Sequence, residues 1–287
     1  MTKNSSGWGS KKWMEQRFQS LDVFDGDKWG HSFRWSQKYR LTQTLFLIKP
    51  YLFSRRRLRV LDIGCALCDF TKQLVNVRPE NDYFATDISR RAIAFDQKQF
   101  PNIEFKCEAL PKLSYPDQSF DLISTLEVIC YLDSKARQEA IFQIHRCLKK
   151  NGLFLFSTVI DNGQRYFDQG QINKLMRGKF QPISKKTLNL RQFHYLEKPY
   201  LALVALDKIY RSGHFLEIEA YLANKQIANF LKNPSVSRFL FFPIKVMAKT
   251  AGTIINNRTL VVWFDQYAPK IFGSKAVSLK IIVYRKT

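Results

Sequence analysis

Apolar and polar positions along the middle of the chain fall into short apolar runs separated by stretches of helical period. Leu58–Gly64 reads LRVLDIG, an apolar run ending at glycine, which suits a buried strand of a parallel sheet. Phe70–Val77 continues at helical spacing. A second short run, Tyr83–Thr86, ends at Asp87, and Ser89 is placed to cap the helix predicted for Arg90–Gln99. Ile103–Lys106 and Phe120–Thr125 read as the third and fourth strands. Ser134–Lys149 is amphipathic, with Ala136, Ala140, Ile141, Ile144 and Leu148 on one face, and Asn151-Gly152 is expected to stop that helix. Leu153–Ile160 (LFLFSTVI) is a fully apolar fifth strand.

Strands alternating with helices imply βαβ units, and hence an α/β fold with a parallel sheet. The remainder of the chain is less regular. Helices are predicted for Pro199–Tyr210, Ile227–Leu231 and Arg238–Lys249, a sixth strand for His214–Tyr221, and a final strand for Ser278–Tyr284. Upstream, Arg40–Leu52 forms an amphipathic helix that can lie over the mouth of a site. No Pro/Gly/Ser-rich linker marks a domain boundary. The expectation is one domain over residues 1–287, divided into N-terminal lid helices (1–57), a core (58–160), and substrate-side insertions with the last two strands (161–287).

In open parallel sheets ligands bind beyond the carboxyl ends of the strands, so the chemistry is sought there. The segment Val60-Leu-Asp-Ile-Gly-Cys-Ala-Leu-Cys-Asp-Phe-Thr71 links the first strand to the first helix. A ligand lying across this turn requires close backbone approach, and Gly64, Ala66 and Cys68 are small residues at alternate positions. Asp62 stands just before the turn and can accept from a cationic amine. Asp87 ends the second strand, 23 residues past Gly64, where a carboxylate can take both hydroxyls of a ribose. Glu108-Ala109 follows the third strand, where an adenine edge would lie. A dinucleotide fingerprint would want G-x-G-x-x-G, and the chain offers Gly64-x-Ala66-x-x-Asp69.

With these elements in this order, the chain resembles the class I S-adenosylmethionine-dependent methyltransferases. VLDIGCALCDFT is similar to that family's first motif and TDIS at 86–89 to its second. CEALPKLSYPDQSFDLIS at 107–124 is similar to the third and fourth. HRCLKKNGLFLFS at 145–157 and YRSGHFLEIEAY at 210–221 resemble its passages into the fifth and sixth strands. The resemblance implies a three-layer Rossmann-like sheet, mostly parallel with the last strand antiparallel, and helical insertions in the C-terminal half. It implies S-adenosylmethionine as cofactor. Asp62 and Gly64 would then face its methionine part, with Cys65 and Ala66 in the same turn. Asp87 would hold the ribose, Ile88 would pack on adenine, and Glu108 and Ala109 would border the ring. Leu126 and Glu127 would line the junction of cofactor and substrate. The family usually has glycine where this chain has Ala66 and Cys68, and alanine costs little there if φ is negative. Phe24–Gly30 (FDGDKWG), Gln37–Leu45 (QKYRLTQTL) and LEVICYL at 126–132 further resemble the nodulation-protein-S type of methyltransferase, whose known activity is N-methylation of an amino sugar.

Charge changes the picture of partners rather than of fold. The chain carries +22 at pH 7, unevenly: +9 over residues 1–60, −1 over 61–160 and +14 over 161–287. Basic flanks suit an anionic partner, either a membrane surface or RNA, or simply a soluble surface. The best footprints for nucleic acid are Arg165–Arg191 and Leu231–Lys249, with aromatics among the cations. No Pro-Pro or Pro-Cys dipeptide occurs, which argues against the nucleic-acid amino-methylating and cytosine-C5 chemistries of this fold. The most apolar run, Phe239–Val246, is short and interrupted by Pro243 and Lys245. The start of the chain lacks a signal-peptide pattern. A cytoplasmic protein, at most peripheral to a membrane, is expected. Five cysteines without framework spacing suggest reduced thiols. Cys65-x-x-Cys68 lacks the second pair or histidines of a zinc site, so it reads as small residues in a turn, and no metal is expected.

Methyl transfer from a sulfonium is an in-line displacement in which the protein positions the nucleophile and excludes water. A general base helps if the acceptor is a hydroxyl or a protonated amine, and the candidates are His194, Glu127 and Tyr131. Three readings stand at this stage. One is an enzyme for a small-molecule, sugar or lipid-linked acceptor. The others are an RNA methyltransferase using the basic flanks, and a non-catalytic protein that binds the cofactor.

Overall fold

A computed structural model describes residues 35–54, 57–161, 166–189, 246, 250, 252–253, 257–267 and 278–287. The chain divides into two compact units, Met1–Leu188 with Val277–Thr287, and Asn189–Ala276.

The first unit is built on a seven-stranded sheet. Its elements in chain order are α1 (Trp35–Leu52), β1 (Arg59–Ile63), α2 (Thr71–Val77), β2 (Asp82–Thr86), α3 (Arg90–Gln99), β3 (Ile103–Lys106), β4 (Phe120–Leu126), α4 (Ser134–Cys147), β5 (Leu148–Ile160), α5 (Gln169–Met176), β6 (Phe180–Asn189) and, after the second unit, β7 (Ser278–Lys286). The spatial order is β3-β2-β1-β4-β5-β7-β6. β1 pairs in parallel with β2 and β4, β2 with β3, and β4 with β5, while β7 runs antiparallel to β5. The expected mostly parallel sheet with its antiparallel late strand is therefore present.

The order also assigns the layers. Crossovers between parallel strands are right-handed, so α2 and α3, which lead outward from β1 to β3, lie on one face, and α4, which leads the opposite way from β4 to β5, lies on the other. Each central strand is then covered on both sides. This is why β1 is buried at Val60 to Ile63 and β4 at Phe120 to Thr125 rather than alternating. The core joins Leu61, Ile63 and Ile123 of the sheet to Ala140, Ile141, Ile144 and Cys147 of α4. Edge-to-face rings of Phe84, Tyr115 and Phe120, with centroids 4.9–6.2 Å apart, fill its lower end.

Helix limits follow local chemistry. Ser89 caps α3, its Oγ accepting from Ala92 N at 3.3 Å, as the sequence indicated. α4 is capped by Asp133, whose Oδ1 accepts from Ala136 N at 2.8 Å. Its end differs from the expectation. The helix stops at Cys147, Leu148 is already extended, and Asn151-Gly152 lies inside β5. Asn151 takes φ 61 there, in a shift of register where Phe120 pairs with Leu148 but Leu122 pairs with Leu153. The Asn-Gly pair makes a bulge in a strand, not a helix terminus.

A second correction concerns β6, which falls in a stretch read as insertion. Its sequence, FQPISKKTLN, is mostly exposed and carries Pro182 and two lysines. That is the composition of a strand at a sheet edge, where apolar alternation is not required. The strand and helices expected between residues 199 and 249 lie outside the described residues, apart from Val246. In the second unit, α6 (Arg258–Gln266) is capped by Asn257, and Asp265 accepts from Asn189 N at 2.7 Å.

Candidate functional site

The carboxyl ends of β1, β2, β3 and β4 converge on the turn that leaves β1. The amides of Gly64 and Cys65 both donate to the carbonyl of Thr86, at 2.7 and 3.0 Å, so the turn folds back over β2. Asp87, next in chain, is buried. Its Oδ2 accepts from the amide of Ala66 at 3.0 Å and its Oδ1 from the amide of Ser89 at 2.9 Å. One carboxylate thereby fixes both the β1 turn and the start of α3. Asp62 is buried as well. It accepts from Thr71 Oγ1 at 2.6 Å and Ser124 Oγ at 2.7 Å, which ties β1 to α2 and to β4. Burial pushes its carboxyl up to about 6 against the pull of these two hydroxyls.

The turn is held in backbone that favours glycine. Gly64 has φ 75, Ala66 φ 52 and Cys68 φ 56. The expectation that alanine would cost little rested on negative φ at those positions, and it fails. Each non-glycine residue in the left-handed region costs about 1–2 kcal/mol. Strain of this kind persists where surrounding structure over-determines it, commonly at a ligand site. A side chain at Gly64 would also strike β4's loop, since a Cβ there would stand 2.4 Å from Val128 Cγ2.

The other sequence-derived residues gather around the same ends. Ile88 is half-buried beside Asp87, and its carbonyl accepts from Cys107 Sγ at 3.7 Å. Glu108 and Ala109 are half-buried after β3, and Glu108 Oε2 accepts from Ser114 N at 3.2 Å. Leu126 and Glu127 end β4, with Glu127 at φ 61 and its amide donating to Ser157 O at 2.9 Å. Tyr131 is half-buried in a short 3-10 turn and packs against the main core. His194 lies outside the described residues.

The sequence reading missed Arg40. From α1 it pairs with the Glu127 carboxylate across 87 residues, with side chains only 10% and 29% exposed. Arg40 falls on the helix's buried face with Leu41, Thr44, Ile48 and Leu52, an arginine where the amphipathic pattern wants an apolar residue. That misfit was the available signal. The pair ties α1, expected to lie over the site, to the end of β4.

The ends of the strands also carry buried polar atoms without hydrogen-bond partners: Thr86 Oγ1, Thr125 Oγ1, Ser157 Oγ and Glu108 Oε1. Buried polar groups are normally satisfied, so these four atoms leave hydrogen-bonding capacity unused at this end of the sheet. The arrangement suits a nucleoside: an acid after β2 for the sugar, half-buried Ile88 and Ala109 for a ring, and close backbone approach at Gly64.

Comparison with known proteins agrees. Residues 60–152 match the family model described as a methyltransferase domain. The chain is 27% identical over 124 residues to a malonyl-[acyl-carrier protein] O-methyltransferase of Bacillus cereus, covering 42% of this chain and 45% of that protein. It is 30% identical over 105 residues to the enzyme of the same name from Halalkalibacterium halodurans, covering 34% and 38%. The matched region thus spans less than half the length of these curated relatives. Among solved structures, the N-methyltransferase NodS from Bradyrhizobium japonicum WM9, in complex with S-adenosyl-L-homocysteine, superposes with TM-score 0.52 at 22% identity, covering 62% of this chain and 89% of that one. The [4+2]-cyclase SpnF superposes with TM-score 0.55 at 15% identity, covering 87% and 82%. The resemblance to class I methyltransferases, with its nodulation-protein-S likeness, is borne out, and the fold is theirs.

Proposed function

We propose that the chain transfers a methyl group from S-adenosylmethionine to an N or O atom of a small-molecule, sugar or lipid-linked acceptor. The observation that carries this reading is the Asp87 clamp: one buried carboxylate holding the amides of Ala66 and Ser89 beside a turn kept left-handed at three positions. Such a turn costs stability, and a nucleoside cofactor seated against it gives that cost a use.

When bound, S-adenosylmethionine supplies an electrophilic methyl on sulfur. The chain's own residues then bind and orient. Asp87 would hold the ribose hydroxyls, Ile88 and Ala109 the adenine faces, and Glu108 its edge. The turn 64–66, backed by Asp62, would face the amino-acid part. Paired to Arg40, the Glu127 carboxylate acts in this reading as a positioning group that anchors the lid helix over the reacting atoms and keeps water out. Tyr131, packed into the core, lines the same end. His194 remains the proposed general base. No helix among the described residues is long and apolar enough to cross a membrane. A lipid-linked acceptor would be approached from the surface, with the basic flanks facing an anionic membrane.

Calorimetric titration with S-adenosylmethionine tests the cofactor site. Asp87→Ala should weaken binding at least tenfold while circular dichroism shows a folded chain, and unchanged affinity refutes the assignment. His194→Ala should lower turnover more than cofactor affinity, and full activity removes it as the base. Transfer of a labelled methyl group into fractionated cell extract identifies the acceptor. The SpnF likeness is a specific reason to run it, because that protein, a [4+2]-cyclase, carries this fold. Cofactor binding with no labelled product in any fraction would establish the non-catalytic reading instead. Label in RNA would move the acceptor to nucleic acid.

A further inference from the structure

The candidate cofactor turn also carries a cluster of side chains to which the proposed methyl transfer gives no chemical role. One sulfur each from Cys65 and Cys68 and a carboxylate oxygen of Asp96 lie within 4.8 Å of one another, and all three residues are buried. Asp96 stands on the inward face of α3, 0% exposed; neither of its carboxylate oxygens meets an N–H or O–H donor, and its hydrogen-bond neighbour is the Cys68 thiol. A buried carboxylate is costly unless something cationic or a donor meets it. The neighbouring Lys72 pairs with Asp69 at 2.5 Å. Cys68, meanwhile, occupies φ 56 with no exposure, so the chain bears backbone strain to set a sulfur where glycine would fit more easily. The amide of Cys68 donates to Cys65 O at 2.9 Å, which closes the turn and brings both sulfurs to one side.

We propose that Cys65, Cys68 and Asp96 form a site for a thiophilic divalent cation, with Zn²⁺ the best fit, clamping the cofactor turn to α3. Two soft thiolates and a carboxylate select zinc over magnesium or calcium, which take oxygen ligands. Sulfurs bound to a tetrahedral zinc at ~2.3 Å lie roughly 3.8 Å apart, and the ligand atoms here lie within 4.8 Å of one another, so closing on the ion takes a small inward shift. Both thiols and the Asp96 carboxyl, which burial keeps protonated, give up their protons to solvent on binding, and two thiolates with one carboxylate then face the ion's double charge. Three protein ligands leave a fourth position open. In the sequence only the Cys-x-x-Cys pair was visible. The third ligand comes from α3, on the other side of β2.

The test needs no methyl-transfer assay, so it stands or falls apart from the proposed function. The full chain is reduced with a phosphine, stripped with a chelator and titrated with Co²⁺, then with Zn²⁺. One equivalent of Co²⁺ should produce a thiolate-to-metal charge-transfer band, which Zn²⁺ displaces. Asp96→Asn should raise the Co²⁺ Kd at least tenfold. Cys68→Gly relaxes the left-handed backbone and removes a ligand, so it should fold and show no band. Absence of the band in a chain whose five thiols all titrate overturns the proposal. So does a band that survives Cys68→Gly, or an Asp96→Asn Kd equal to wild type. If Asp96→Asn does not fold, Cys65→Ser and Cys68→Gly decide the matter. Two thiols missing before reduction and no metal uptake after it would mean an oxidisable pair, which also overturns it.

Discussion

Substituting Gly64 by alanine probes the candidate site through two separable costs. The first is backbone. Gly64 has φ 75, and alanine in the left-handed region costs about 1–2 kcal/mol, less about 0.4–1 kcal/mol returned because alanine restricts the unfolded chain. The second is steric. The added Cβ would stand 2.4 Å from Val128 Cγ2 and 3.3 Å from Cγ1, and overpacking of this kind costs about 1–3 kcal/mol. The turn cannot shift away freely, because Gly64 N, Cys65 N and Ala66 N are all held by Thr86 and Asp87. Together the loss should be on the order of 2–4 kcal/mol, a large share of the ~5–15 kcal/mol that holds a domain folded. Urea unfolding followed by circular dichroism measures it. A double-mutant cycle with Val128→Ala separates the costs: truncating the valine should recover the steric part, with a coupling of about 1–3 kcal/mol, and leave the backbone part. A Gly64→Ala chain within ~0.5 kcal/mol of wild type, or strict additivity with Val128→Ala, would refute this account of the turn.

The same backbone argument reverses at Ala66, where φ is 52: Ala66→Gly should stabilise by about 0.5–1 kcal/mol, read as a higher urea midpoint, and an unchanged or lower midpoint would refute it. Arg40→Ala should release α1 from the end of β4, seen as faster amide exchange over residues 35–52, at a cost of about 1–3 kcal/mol for a half-buried pair. Asp62 sets a pH dependence. Its folded carboxyl is raised from 3.8 to about 6, so the folded state holds a proton that the unfolded state has lost, and stability falls as pH rises from about 4 through 6. The shift corresponds to about 3 kcal/mol, and Asp62→Asn should flatten this part of a stability-versus-pH curve; an unchanged slope would show that another group governs it.

The central strands were legible because burial on both faces leaves a plain mark: a short apolar run closed by glycine or an acid. β1, β2, β3, β4 and α3 fall where LRVLDIG, YFAT, IEFK, FDLIST and RRAIAFDQKQ put them. β6 was illegible for the converse reason. An edge strand such as FQPISKKTLN buries little, so its apolar pattern is weak and its lysines resemble a loop. Asn151-Gly152 misled because a left-handed asparagine serves a helix end and a strand bulge equally well, and only the pairing of Leu122 with Leu153 distinguishes them. The residues proposed for the site were placed from their spacing before and after strands. Arg40 and Asp96 were not, because their meaning is tertiary: each is a charged residue on a buried helix face, 87 residues from Glu127 in one case and across β2 from the cysteine pair in the other.

These polar intrusions bear on how far fold can carry function. The fold is shared, at similar TM-scores, with an N-methyltransferase and a cyclase, so the fold alone selects neither reaction. What the sheet does not require is a turn with three left-handed residues, an acid spanning it, four unpartnered polar atoms at the strand ends, and an arginine holding a helix against them. The left-handed turn and the unpartnered atoms cost stability in the free chain, the acid and the arginine hold that end together, and all share one end of the sheet. Part of that cost is open to repair by a single change, glycine at 66. Ala66→Gly separates strain from binding: a gain in stability with cofactor affinity retained would show that the strain at 66 is incidental to the ligand, as the glycine usual at this position in similar methyltransferases implies, whereas a loss of affinity would tie the left-handed alanine to the site.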